Sequence, residues 1–334
     1  MGAMIQRVRI EDFDPDLPRP PGKDAFFLEI STSTGGERLG FPLLLATGRG
    51  QGKTLVATAG VHGDEYEGVQ AIHEIYHQLN PDEMSGRLVA VPVVNQPAHW
   101  AVSRHTPIDF LNLARIFPGR REGTFTERLA YHLSEKIISC ADFFVDLHSA
   151  GIKYLFPPMV GYGIGDSAHA SVSKEAAQIF GTPVVWGHPG DVPPGRTISE
   201  ADHRGISWLY VESAGGGRIH REELPYYKDG LLNLLKYLKI VPGQVAAGSV
   251  RYQLVGKGDI DEAISSNTAG FFVPMVQILE LVAREQVVGV VRDLFGETIE
   301  EIRSQQEGYV ILLRALPIVY PGETVCVITG GGVL

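Results

Sequence analysis

Apolar positions follow two rhythms along this chain. Between about residues 25 and 240, short apolar runs alternate with segments whose apolar residues recur at helical spacing. AFFLEISTST and FPLLLATGRG read as strands split by the turn GGERLG. KTLVATAG is a short apolar run that fits a buried strand. In EGVQAIHEIYHQL, Val69, Ile72, Ile75, Tyr76 and Leu79 mark one face of a helix. RLVAVPVVN, DFFVDLH, TPVVWG and SWLYVES add strands. TERLAYHLSEKIISCA, with Thr124 or Thr126 able to cap its start, SVSKEAAQIFG and LPYYKDGLLNLLKYLKIV add helices. This alternation predicts an α/β sheet with helices on both faces. The first twenty-odd residues, rich in Pro and Asp, predict an extended arm. After VPGQ at 241–244 the helical period disappears. GFFVPMVQI, QVVGVVRDL, TIEEIRS, GYVILLRA and ETVCVIT are short strands punctuated by Gly and Pro. A boundary near 242–250 follows, with an α/β domain over 1–244 and a small all-β domain over 245–334.

Composition narrows the function classes. Hydrophobic residues are 44% and charged residues 20% of the 334, the balance of an ordinary globular protein. A net charge of -10 argues against phosphate-backbone binding, so no nucleic-acid partner is expected. No run of about 18 apolar residues is present, so no membrane partner is expected either. The N-terminal MGAMIQRVRIEDFDPDLPRPPG lacks a signal-peptide core. Cys140 and Cys326 are too few and too far apart for a disulfide framework. Together these features predict a cytoplasmic protein.

Candidate chemistry sits where apolar strands end. TAGVHGDEYEG places His62 and Glu65 three residues apart just after a strand, with Gly63 letting both side chains face one point. Catalytic zinc sites take three protein ligands and keep one position open. His148 ends DFFVDLH at another glycine-containing turn and reaches the pair if the two strands are parallel neighbours. Asp146 shares its side of the strand. Taken singly, each of these residues is equally at home as a turn or strand-end residue. Glu212 in SWLYVESAGGG closes a further strand; a carboxylate beside an activated water can accept a proton and return it to a leaving amine. Glycines 215–217 lack the GK[ST] of a phosphate loop. Arg104 and Arg115 are suited to polarising a carbonyl or clamping a carboxylate. Arg196 in PPGRT is a further candidate for a substrate carboxylate.

Together these segments resemble the succinylglutamate desuccinylase/aspartoacylase family. AGVHGDEYEG is similar to its first zinc motif, DLHSAG to its third-ligand motif, VESAGGG to its catalytic-glutamate segment, and Asp109–Gly119 to its D-x-x-N-L-N-R-x-F-P-G segment. Order and spacing agree over roughly residues 45–240. The resemblance implies a zinc-carboxypeptidase-like mixed sheet flanked by helices, followed by a small β domain of lipoyl/biotinyl barrel-sandwich type that covers the active site. That domain's expected tip, Asp293–Glu297, carries no lysine for a carrier role. The resemblance implies one Zn2+ per chain on His62, Glu65 and His148, with Glu212 as general base and acid. It implies Arg104 for carbonyl polarisation and Arg115, with Asn112 matching the motif, for substrate binding. The expected reaction is removal of an N-acyl group from a small amino-acid-like molecule, an N-acyl amino acid or an N-acetyl diamino acid. A homo-oligomer is compatible with this reading. The alternatives are a zinc carboxypeptidase and a non-catalytic small-molecule binder. One residue departs from the pattern: Ala114 stands where the family has Asn, so the substrate carboxylate is absent or held differently.

Overall fold

The computed structural model describes residues 4–246, 248, 250–257 and 263–334. In chain order the first unit contains β1 (Ile5–Arg9), β2 (Gly22–Thr32), β3 (Arg38–Thr47), β4 (Gly50–Ala59), α1 (Glu67–Gln78), β5 (Ser85–Val91), α2 (Gln96–Ala101), α3 (Phe125–His132), β6 (Phe143–Leu147), β7 (Tyr154–Leu155), β8 (Met159–Ile164), α4 (Ala168–Phe180), β9 (Val184–Pro189), α5 (Thr197–His203), β10 (Ser207–Glu212) and α6 (Leu224–Tyr237). Then come β11 (Tyr252–Val255), β12 (Ile264–Ser265), β13 (Gly270–Pro274), β14 (Leu281–Val282), β15 (Val287–Arg292), β16 (Thr298–Arg303), β17 (Gly308–Arg314), β18 (Ile318–Val319) and β19 (Thr324–Val333).

The main sheet runs β1-β2-β3-β5-β4-β6-β10-β8-β9-β11 and continues into β19-β17-β14. Its centre is parallel: β4 pairs with β5 and β6, and β6 with β10. These strands are covered on both faces, which is why they read as unbroken apolar runs. Leu55, Ala57 and Ala59 pack into one core with α1, α4 and α6. Val56 and Phe144 point the other way, into a core with Leu129, Ala201 and Trp208. The mixed α/β architecture is therefore the expected one.

Several elements depart from the sequence reading. The N-terminal segment is not a free arm: Ile5–Arg9 pairs in parallel with Ala25–Glu29, and Ile10 and Phe13 are buried. The helix expected over 126–141 ends at His132 and continues as a π turn (Leu133–Ile137) and a 3-10 turn (Ile138–Cys140). Thr124, not Thr126, caps it, with Glu127 closing a capping box. Strand β8 was not anticipated, because Gly161 and Gly163 dilute its β propensity. Short α2 and α5 have too few turns for a periodic signal.

The C-terminal strands stack two sheets. One carries β12, β14, β17 and β19, and the other runs β16-β15-β13-β18. Phe272, Val288, Val291, Val310, Val325 and Ile328 fill the space between them. At the hairpin tip Leu294 is 100% exposed and Phe295 91%. β11 pairs with β9 of the first unit and β19 of the second, so hydrogen bonding is continuous between the units. Residues 247 and 249, inside the expected boundary, lie outside the described residues.

Candidate metal and active site

Three neighbouring parallel strands deliver the site. Ala59 of β4 is opposite Leu147 of β6, and Leu147 is opposite Val211 of β10. The segments that leave these C-terminal ends therefore share one edge of the sheet, the usual ligand edge of an α/β fold. From β4 come His62 and Glu65, from β6 His148, and from β10 Glu212. The β4 turn is pressed against α2: Gly63 N donates to Ser103 O at 2.9 Å, and a Cβ on Gly63 would stand 1.9 Å from Ala98 O. His148 N donates to Val211 O at 2.9 Å, which holds it beside Glu212.

Ligating atoms of His62, Glu65 and His148 all lie within 4.8 Å of one another. His62 Nδ1 is 2.8 Å from Glu65 Oε1, and His148 Nδ1 is 2.8 Å from Glu65 Oε2. The far nitrogen of each ring faces an acceptor. His148 Nε2 meets Asp146 Oδ2 at 2.9 Å, and His62 Nε2 meets Asn112 Oδ1 at 3.2 Å. The Asn112 orientation is set by Ala114 N, which donates to the same oxygen at 3.0 Å. With a cation at the centre, both Nε2 atoms would carry the ring proton and both Nδ1 atoms would turn a lone pair toward it. Lone pairs facing lone pairs need protons or a cation between them. This donor set fits a divalent metal with nitrogen and oxygen ligands.

Asp146 is wholly buried. Its Oδ1 accepts from Thr58 Oγ1 at 2.7 Å, and its Oδ2 also accepts from Thr197 Oγ1. A carboxylate fixed in this way orients the imidazole it bonds. Burial opposes charge on His148, but the Asp146 and Glu65 carboxylates outweigh it and raise the imidazole well above its usual range. Burial likewise opposes charge on Glu65, and the two imidazoles overcome it and hold the carboxyl low. Glu212 differs: among the described residues no hydrogen bond to its Oε2 offsets its burial. Burial first, and then the charge of Glu65, push its carboxyl up, and its Oε2 is buried without a hydrogen bond.

A cavity of about 140 Å³ opens over this group. His62, His148, Glu212, Arg104, Arg115 and Arg196 all line it. Arg104 Nη1 lies 3.4 Å from His62 Nδ1 and 3.5 Å from Glu65 Oε1. Arg115 Nη1 donates to Ala114 O at 2.9 Å, and Arg196 Nη1 donates to Pro193 O at 3.1 Å. Ala114 is part of the wall and offers no side-chain hydrogen bond there. Asn112 faces His62 and is not among the wall residues. Sequence reasoning missed much of the wall: Trp186, His188, Trp208 and Tyr210 on β9 and β10, and Lys257. The strand period was the available signal, since Tyr210 and Glu212 share a face.

Residues 51–238 match the model of the succinylglutamate desuccinylase/aspartoacylase catalytic domain. An N-alpha-acetyl-L-2,4-diaminobutyric acid deacetylase from Halomonas elongata is 28% identical over 322 residues, covering 95% of this chain and 93% of that protein. The product-bound ectoine utilization protein EutE (DoeB) from Ruegeria pomeroyi is 30% identical, with a TM-score of 0.87, and the match covers 95% of this chain and 98% of that one. A succinylglutamate desuccinylase from Silicibacter sp. TM1040 also superimposes with a TM-score of 0.87 at 28% identity, over 96% of this chain and 99% of that one. With its matching fold and catalytic-domain segment, this chain belongs to the succinylglutamate desuccinylase/aspartoacylase family.

Proposed function

We propose that this protein is a zinc-dependent deacylase that removes the N-acyl group from a small amino-acid-like substrate, an N-acyl amino acid or an N-acetyl diamino acid. The observation that carries the reading is the convergence of His62, Glu65 and His148 beside a buried, unpartnered Glu212 oxygen at one cavity. His62, Glu65 and His148 would hold one Zn2+, which when bound supplies Lewis-acid activation of water and of an amide carbonyl. Glu212 accepts the proton released by the attacking water and returns it to the leaving amine. Its raised affinity for a proton suits that shuttle near neutral pH. Arg104, beside His62 and Glu65, places a fixed positive charge where the carbonyl oxygen gains negative charge. Arg115 and Arg196 supply guanidinium forks for a substrate carboxylate. Asn112 holds the His62 ring through Nε2. We read residues 1–244 as the catalytic domain and 245–334 as a β domain that walls the site, to which Lys257 contributes. The kinship with an acetyl-diaminobutyrate deacetylase supports the small-molecule substrate class. A cytoplasmic location fits the free Cys140 and Cys326.

The test is amine release from a panel of N-acyl amino acids and N-acyl diamino acids by zinc-loaded protein and by Glu212→Gln. The substitution keeps shape and metal site but cannot take up a proton. Turnover should fall at least about 10²-fold with zinc content unchanged. Wild-type turnover in that variant would assign the proton transfer to another group.

A further inference from the structure

Along β9 and β10 the cavity wall holds a hydrogen-bond chain that deacylation leaves unused. His188 Nδ1 lies 2.8 Å from Gly256 O. A carbonyl oxygen only accepts, so Nδ1 carries the ring proton. Burial pushes His188 down to about 4, so the ring is neutral near pH 7 and Nε2 is a bare acceptor. The Tyr210 hydroxyl is 2.8 Å from that Nε2 and must donate to it. The two rings stack at 5.6 Å with planes 23° apart, and Trp186 packs edge-on against His188 at 4.6 Å.

The tyrosine ring is also held from below. Tyr210 pairs across the sheet with Gly161, and a Cβ on Gly161 would stand 2.0 Å from Tyr210 Cε1 and 2.7 Å from its hydroxyl. The ring therefore lies flat over a position that admits no side chain. Its hydroxyl proton is committed to His188, so what Tyr210 offers a ligand is an acceptor lone pair. A carboxylate oxygen set against it would meet lone pair with lone pair, whereas an N–H would bond.

We propose that Tyr210, oriented by His188 and Gly161, is a specificity-determining residue that accepts a hydrogen bond from an N–H of the substrate, the second amine of an N-acyl diamino acid. The substrate carboxylate then belongs to Arg115 and Arg196, of which Arg196 lies near enough to act electrostatically on both His188 and Tyr210. The proposal deepens the deacylase reading and rests on it for the substrate's overall shape.

Calorimetric binding of free 2,4-diaminobutyrate and free aspartate to zinc-loaded protein tests this without turnover. The wild-type protein should favour diaminobutyrate by about tenfold or more, the scale of one hydrogen bond to a charged group. Tyr210→Phe keeps the ring and the fold, and should erase most of that ratio. His188→Leu frees the hydroxyl proton toward the cavity and should move the preference toward aspartate. An unchanged ratio in Tyr210→Phe, or a wild-type protein that prefers aspartate or binds neither, would overturn the assignment. Amine release from the N-acyl panel is measured alongside. No release from any substrate would sink the deacylase reading, while the binding ratio would still judge Tyr210.

Discussion

At the residue scale the candidate centre depends on which nitrogen of each imidazole faces inward. Asp146 and Asn112 occupy the outer nitrogens of His148 and His62, so the inner ones point at Glu65. Removing His148 leaves a histidine–carboxylate pair with too few donors for a tight site. His148→Ala is expected to lose most of its zinc by elemental analysis; full occupancy in that variant would take His148 out of the ligand set. Arg115 is tied to the Ala114 carbonyl and lines the cavity. A lysine there keeps the charge but loses the planar fork. Arg115→Lys should lower kcat/KM by about 1.5–3 kcal/mol on carboxylate-bearing substrates and little on their neutral amide analogues. Equal losses on both would place Arg115 in folding instead. The H-x-x-E spacing and the strand-end His148 and Glu212 were legible in the chain. The Asn112–His62 contact was not, because it links a loop 50 residues away to the turn that carries His62.

The elements explain why those residues hold still. Between β4 and α1 the chain leaves the sheet under α2, and Gly63 has no room for a Cβ against the Ala98 carbonyl. Backbone, not a flexible side-chain end, is the obstacle, so the turn itself must move. Gly63→Ala should destabilise the protein by about 1–3 kcal/mol, the scale of overpacking a filled site, and reduce zinc retention. Urea unfolding with parallel metal analysis measures both; wild-type values in each would show that the turn yields. Long strands and helices were legible here because apolar periodicity persists over many residues. Strand β8 escaped because Gly161 and Gly163 serve a partner strand: the Tyr210 and Trp208 rings lie over them. The break of α3 at His132 was equally silent, since one π turn and one 3-10 turn are too short to displace the apolar rhythm of the segment.

For the whole molecule, the C-terminal strands back residues of the cavity wall without lining it themselves. β11 covers the edge of β9, Trp186 Nε1 donates to Thr329 Oγ1 at 3.0 Å, and His188 bonds Gly256. Lys153 of the first unit also reaches Glu323 at 3.0 Å. Deleting residues 245–334 would bare the β9 edge and the apolar ring cluster behind it, an invitation to edge pairing. The truncated chain is expected to be aggregation-prone and at least strongly impaired in turnover, as judged by size-exclusion chromatography and the amine-release assay. A soluble, fully active 1–244 fragment would show that the catalytic domain is complete alone.

The sequence by itself determined the local chemistry: alternating elements of an α/β sheet, the loss of helical period after residue 244, and the residue types closing each strand. Those features are local, set by propensity and by apolar spacing within a few turns of chain. Only the tertiary structure decided that β4, β6 and β10 lie side by side, because strand order depends on how separate apolar faces find one another. That order brings His62, Glu65, His148 and Glu212 to one edge. It also sets Tyr210 over Gly161 and against His188, a contact between strands far apart in the chain that no single segment encodes.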